Sequence, residues 1–163
     1  MKKSTEERLR ALFAKHQFPP VDVVIHVLEK SGRGEQELMS QFYETEVSLT
    51  KGIMQILDLK TRDMKTLVKV MEVVFLWEGQ KFEPIELSDS RFSYAVPDCP
   101  MLHVGKDISA EVKGKFCDLF CTAASQAMMD TVLGKEKGSC RWDKSLIKGA
   151  GNCRLLWELT VTK

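Results

Sequence analysis

Lys81-Phe82-Glu83-Pro84-Ile85-Glu86-Leu87-Ser88-Asp89-Ser90-Arg91-Phe92-Ser93-Tyr94-Ala95-Val96 is where the hydropathy pattern of this 163-residue chain changes from helix to strand. In the last six residues Phe92, Tyr94 and Val96 alternate with Arg91, Ser93 and Ala95. That period of two predicts a half-buried strand. Lys81 to Leu87 also has strand character, and Ser88-Asp89-Ser90 supplies a turn, so the stretch reads as a β-hairpin that Asp98-Cys99-Pro100 ends.

Upstream the apolar spacing is helical. Thr5 to His16 carries Leu9, Leu12 and Phe13, and Pro19-Pro20 stops it. A second helix is expected over Val21–Ser31, with His26 as a satisfied core histidine, and a third over Glu35–Leu57. In the third, Leu38, Phe42, Val47, Ile53 and Ile56 are the expected buried positions and Gly52 a weak spot. Asp63 caps a fourth helix that buries Leu67, Val70, Met71, Val74, Phe75 and Trp77 and stops at Gly79.

Downstream, Asp107 caps a helix over Ile108–Leu133 with Phe116, Cys117, Phe120, Cys121, Ala124 and Met128 on one face. Gly134 ends it. Cys140–Ile147 and Arg154–Val161 form a second hairpin around Lys148-Gly149-Ala150-Gly151-Asn152. Both faces of Arg154–Val161 are partly apolar, which places that strand inside the sheet. The expected fold is α+β in one domain over 1–163: a helical part, 1–80, packed on a four-stranded antiparallel sheet, with a helix between the two hairpins of 81–163.

Lys and Arg number 24 and Asp and Glu 23, a net charge of +1. No basic excess marks a nucleic-acid binder. No apolar run approaches the roughly 18–20 residues of a membrane span. The basic start Met1-Lys2-Lys3 is not followed by an apolar segment, so a cytoplasmic protein is expected. Trp77, Phe82 and the long helices offer apolar surface for a homo-oligomer.

The main chemical clue is the cysteine distribution. Cys99, Cys117, Cys121, Cys140 and Cys153 all follow residue 98, and their odd number in a chain without a signal peptide argues against a disulfide framework. In Cys99-Pro100-Met101-Leu102-His103 a thiol and an imidazole can face one metal ion or substrate. Cys117 and Cys121 stand i and i+4, so their sulfurs project from one helix face. With Cys153 these thiols suit zinc or iron. The competing reading makes each cysteine a small buried apolar residue.

For chemistry, Cys99 and Cys117 are the candidate nucleophiles, with His103 or Asp118 as base. Arg141 or Arg154 can hold a substrate carboxylate, and Phe120 and Trp142 are candidate ligand contacts. Met128 and Met129 read as core. The chain has no Gly-x-Ser-x-Gly elbow, His-Glu-x-x-His zinc motif or Gly-x-Gly-x-x-Gly loop.

Cys99-Pro100, Phe116-Cys117 with Asp118 and Cys121, Ser145–Gly149 and Cys153-Arg154-Leu155-Leu156-Trp157 follow in an order that resembles the L-2-amino-thiazoline-4-carboxylate hydrolase family. The last part also resembles the four-vinyl-reductase-type hydrocarbon-binding domain, which shares its fold with vesicle-tethering TRAPP subunits. The likeness covers Pro97 to Leu159, with Ala150-Gly151 in place of the binding domain's Asp-Pro and Ser145 where that domain can have a zinc-ligand cysteine. The resemblance implies an α+β fold with an apolar pocket between helices and sheet. The hydrolases imply opening of a small sulfur–nitrogen ring by water. The binding domains imply recognition of a small apolar or aromatic ligand, in some cases with cysteine-held zinc. Three readings therefore stand: a binding domain with a cysteine-rich site, a hydrolase of C–N or C–S bonds, and a protein-association domain with structural cysteines.

Overall fold

The computed structural model describes residues 3–30, 34–99, 103, 108–144 and 151–160. Helices α1 (Thr5–Lys15), α2 (Val21–Glu29), α3 (Glu35–Ile56) and α4 (Met64–Trp77) precede the hairpin β1 (Glu83–Leu87) and β2 (Arg91–Val96). A long helix follows in three parts: α5 (Ala110–Phe116), a π-helical segment (Cys117–Cys121) and α6 (Thr122–Leu133). Strands β3 (Gly138–Lys144) and β4 (Cys153–Leu159) complete an antiparallel sheet of order β1-β2-β4-β3. This is the α+β architecture expected from the sequence.

Local chemistry sets the helix limits. A capping box starts α1: the Glu7 N–H donates to Ser4 Oγ (3.2 Å) and the Ser4 N–H to Glu7 Oε2 (2.7 Å). Asp63 caps α4 as expected, its Oδ1 accepting from the Thr66 N–H at 2.7 Å. Ser109 caps α5, accepting from the Val112 N–H, while Asp107 lies outside the described residues. Gly134, at φ 106°, ends α6 in a conformation that a side chain would strain.

β2 forms where the period-two alternation places it, but it is not half-buried: Ser93 and Ala95 on its second face are buried as well. Phe92, Tyr94 and Val96 enter the core together with Leu155 and Trp157 of β4. β4 lies between β2 and β3, and Leu155, Leu156 and Trp157 are all buried, which explains its apolar residues on both faces. The expected strand Cys140–Ile147 starts earlier, at Gly138, and residues 145–150 lie outside the described ones. β1 breaks register with β2 between Pro84 and Glu86.

The interior divides into two apolar clusters. The larger packs α4 and α6 on the sheet through Met71, Val74, Met128, Met129, Tyr94 and Trp157. The smaller joins α2, α3 and the π segment through Val24, Leu28, Leu38, Phe42 and Phe120.

Some expectations from the sequence need correction. His26 is exposed, because α2 buries Val24, Ile25 and Leu28 instead. In α3 the buried stripe is Leu38, Phe42, Glu46, Leu49, Thr50 and Ile53, leaving Val47 and Ile56 half-buried. Trp77 is 47% exposed and stacks on Phe13 with ring centroids 4.5 Å apart. No helix among the described residues is long and apolar enough to cross a membrane.

Candidate functional site

A cavity of about 290 Å³ opens where the two apolar clusters meet. Phe18, Phe42, Phe116 and Phe120 wall one side. Their rings interlock, with centroids 5.1 Å apart for Phe18–Phe42 and 4.8 Å for Phe42–Phe120. Val74 and Phe75 of α4, Tyr94 and Val96 of β2, Met128 of α6 and Trp142 of β3 form the other side.

The π segment builds part of this wall. Its wider turn displaces the backbone ladder, and the Thr122 hydroxyl donates to the Cys117 carbonyl at 3.3 Å. Cys117 and Phe120 are buried, and both line the cavity with Cys121. A hydrogen bond with the Cys117 side chain holds the Cys121 thiol proton, and burial and nearby acidic groups add to it, so its pKa lies well above the usual thiol range. Cys140 is pushed up to about 12 by burial and by the charge of Asp130. Both remain thiols near neutrality, the unreactive form.

Of the residues singled out from the sequence, Cys99, Cys117, Cys121, Cys153, Phe120 and Trp142 come together around this space. His103, Asp118, Arg141 and Arg154 do not line it. His103 is exposed, its Nε2 2.7 Å from Asp98 Oδ1. Asp118 is exposed on the π segment. Arg141 pairs with Glu158 at 3.7 Å and Arg154 with Asp143 at 3.6 Å. Four candidate ligand sulfurs thus share one cavity, yet among the described residues no three His, Cys, Asp or Glu side chains are grouped to hold a metal. The described donor set does not fit a cysteine-held zinc or iron centre.

The site also holds two carboxyl groups that the sequence reading missed. Glu46 is 2% exposed and accepts a hydrogen bond from the Thr50 hydroxyl at 3.0 Å. Burial raises its pKa to about 8; the Thr50 bond opposes that shift and the charge of Glu78 adds to it. Glu78, the C-cap of α4, lines the cavity as a solvent-exposed residue, and partial desolvation by its surroundings raises its carboxyl to about 7. Gln80 Nε2 donates to Glu78 Oε2 at 2.7 Å. Glu46 carried a sequence signal, a charge at spacing four after Leu38 and Phe42 on an apolar stripe. Glu78, beside the helix-ending Gly79, carried none.

The sequence matches no protein-family model and no curated protein. Its structure is similar to that of a trafficking protein particle complex subunit 3 from Naegleria fowleri covalently bound to palmitic acid. The identity is 15%, the match covers 96% of this chain and 95% of the other, and the TM-score is 0.64. It is also similar to the phenol-responsive sensory domain of the transcription activator PoxR with phenol, at 11% identity, 98% and 92% coverage and a TM-score of 0.56. The H-NOX domain of Shewanella oneidensis in its Fe(II)CO ligation state matches at 14% identity, 96% and 88% coverage and a TM-score of 0.50. At these identities the likeness is one of fold, and it extends over nearly the whole chain.

Proposed function

We propose that this chain is a binding domain for a small, largely apolar ligand seated between α3, α4, the π segment and the sheet. The observation that carries this reading is the cavity of about 290 Å³ with aromatic and aliphatic walls and few polar groups. Its size is close to the lower end of small-molecule pockets, about 300 Å³. An apolar cavity of about 150 Å³ already takes up benzene, so a molecule larger than one aromatic ring is accommodated. Trp142 Nε1 is buried with no hydrogen-bond partner among the described residues, a donor that a ligand oxygen or nitrogen can satisfy. The palmitate and phenol named with the similar structures agree with such a use of the fold.

Titration calorimetry and thermal shift with phenol, decanol and palmitate test the reading. At least one probe is expected to bind saturably and raise Tm. Ala124→Phe fills the cavity and is expected to abolish that binding while leaving the circular dichroism unchanged. No binding by any probe, or equal binding by the variant, would contradict the assignment.

A second reading, a hydrolase of small thiazoline carboxylates, draws on the cysteines at the cavity wall. Turnover of 2-aminothiazoline-4-carboxylate that is lost in Cys99→Ser or Cys117→Ser would establish it; no turnover by the wild-type protein would remove it. The binding reading is preferred because Arg141 and Arg154, the expected carboxylate holders, lie outside the cavity in ion pairs with Glu158 and Asp143.

A further inference from the structure

Glu46 and Glu78 come from different helices and face the same cavity. No Lys, Arg or His is among the described residues lining it. Among the described residues, Thr50 and the charge of Glu78 act on Glu46, and Gln80 donates to Glu78; none of these is a basic side chain. The other titratable groups on the wall are Tyr94 from β2, Cys117 and Cys121 from the π segment, Cys99 after β2 and Cys153 from β4. All of these are acids too, so ionisation of any described residue on the wall adds negative charge. The remaining lining includes the rings of Phe18, Phe42, Phe75, Phe116, Phe120 and Trp142, and the faces of aromatic rings attract a cation.

We propose that the cavity selects a hydrophobic amine: an aromatic or aliphatic body in the apolar space and one ammonium group between Glu46 and Glu78. This rests on the binding reading above and adds the charge of the ligand. A carboxylate ligand would place a third acid beside two others. A neutral ligand would leave a buried carboxyl to stay protonated or to carry an uncompensated charge. An ammonium ligand instead displaces a carboxyl proton to solvent and forms a charge-assisted hydrogen bond with the carboxylate that remains.

The exchange of a proton for the ammonium fixes the sign of the pH effect. Amine affinity is expected to increase by up to about tenfold per pH unit while a carboxyl of the empty site is still protonated. Tyr94 and Cys121 are raised well above that range and do not add to it.

Calorimetry with 2-phenylethylamine, 2-phenylethanol and phenylacetate, near-isosteres of different charge, tests the proposal. At about pH 8.5 the amine is expected to bind at least about tenfold tighter than the alcohol, and phenylacetate weakest. Binding heats in buffers of different ionisation enthalpy should show proton release near neutral pH. Glu46→Gln is expected to remove most of the preference while the alcohol still binds. Glu78→Gln, at the surface end of the site, provides the same comparison if the first variant does not fold. Alcohol binding equal to or tighter than amine binding overturns the charge assignment and leaves the binding domain intact. The charge assignment also fails if phenol, decanol or palmitate binds and the amine does not. If no probe of either set binds, both proposals fall.

Discussion

At Glu46 a carboxyl occupies a place on the α3 stripe where Leu38, Phe42, Leu49 and Ile53 set the pattern. Its folded-state pKa of about 8 exceeds the ordinary 4.5, so between those values the folded protein keeps a proton that the unfolded chain releases. The stability contributed by the neutral carboxyl is full below about pH 4.5 and is lost as pH rises through about 8. Glu78, with its pKa at about 7, acts in the same direction over a narrower window. Glu46→Gln keeps the shape and cannot ionise, and is expected to be more stable than wild type at about pH 9 by up to roughly 5 kcal/mol. Urea midpoints at about pH 5, 7 and 9 check this; a wild-type midpoint that does not fall between 5 and 9, or an equal fall in the variant, would count against it. The cysteine clustering after residue 98 was legible in sequence, and four of the five thiols reach the cavity. His103 was less legible, because four residues of separation on a loop do not set side-chain direction. A stripe position filled by Glu46 reads as surface until the residues facing it are known.

Among the elements, the hairpins and the limits of α4 were legible because period-two alternation, Asp63 and Gly79 each act locally. The π segment was not: the i and i+4 spacing of Cys117 and Cys121 is the same in either helix type, and the wider ladder depends on how α5 and α6 each pack. Nor was the polar join between α3, α6 and β3. Tyr43 donates to Asp130 Oδ2 at 2.7 Å, and Gln126 Nε2 donates to Asp130 Oδ1 at 2.8 Å and to the Gly138 carbonyl at 3.2 Å. Gln126 Oε1 accepts from the Cys140 N–H at 3.1 Å. One amide thus satisfies a donor and an acceptor of β3 from α6. Gln126→Ala is expected to cost about 1–3 kcal/mol and to speed amide exchange at Gly138–Cys140 well before exchange in β2. Hydrogen-exchange mass spectrometry reads both; unchanged protection of β3 would show that the join is not needed to hold the strand.

Across the whole molecule, the order β1-β2-β4-β3 sets β2 and β4 at the centre and leaves β1 and β3 as the borders. α6 crosses between the hairpins and seals the larger cluster, while α2 and the first half of α3 seal the smaller, so the cavity marks the seam between two separately packed bodies. The layers were legible from the sequence; the seam was not, because it depends on which helix faces meet. The border strand β1 shows Ile85 and Leu87 to solvent, each 49% exposed. Such a strand can template pairing with another chain and so start aggregates. Pro84 lacks an N–H to offer, and the register break between Pro84 and Glu86 twists the border out of line. Pro84→Val is expected to raise turbidity during incubation at about 37 °C with little change in the urea midpoint, and equal turbidity would show that the border is guarded elsewhere. The irregularity in β1 thus acts as a gatekeeper, keeping the open side of the sheet from growing by addition of further copies.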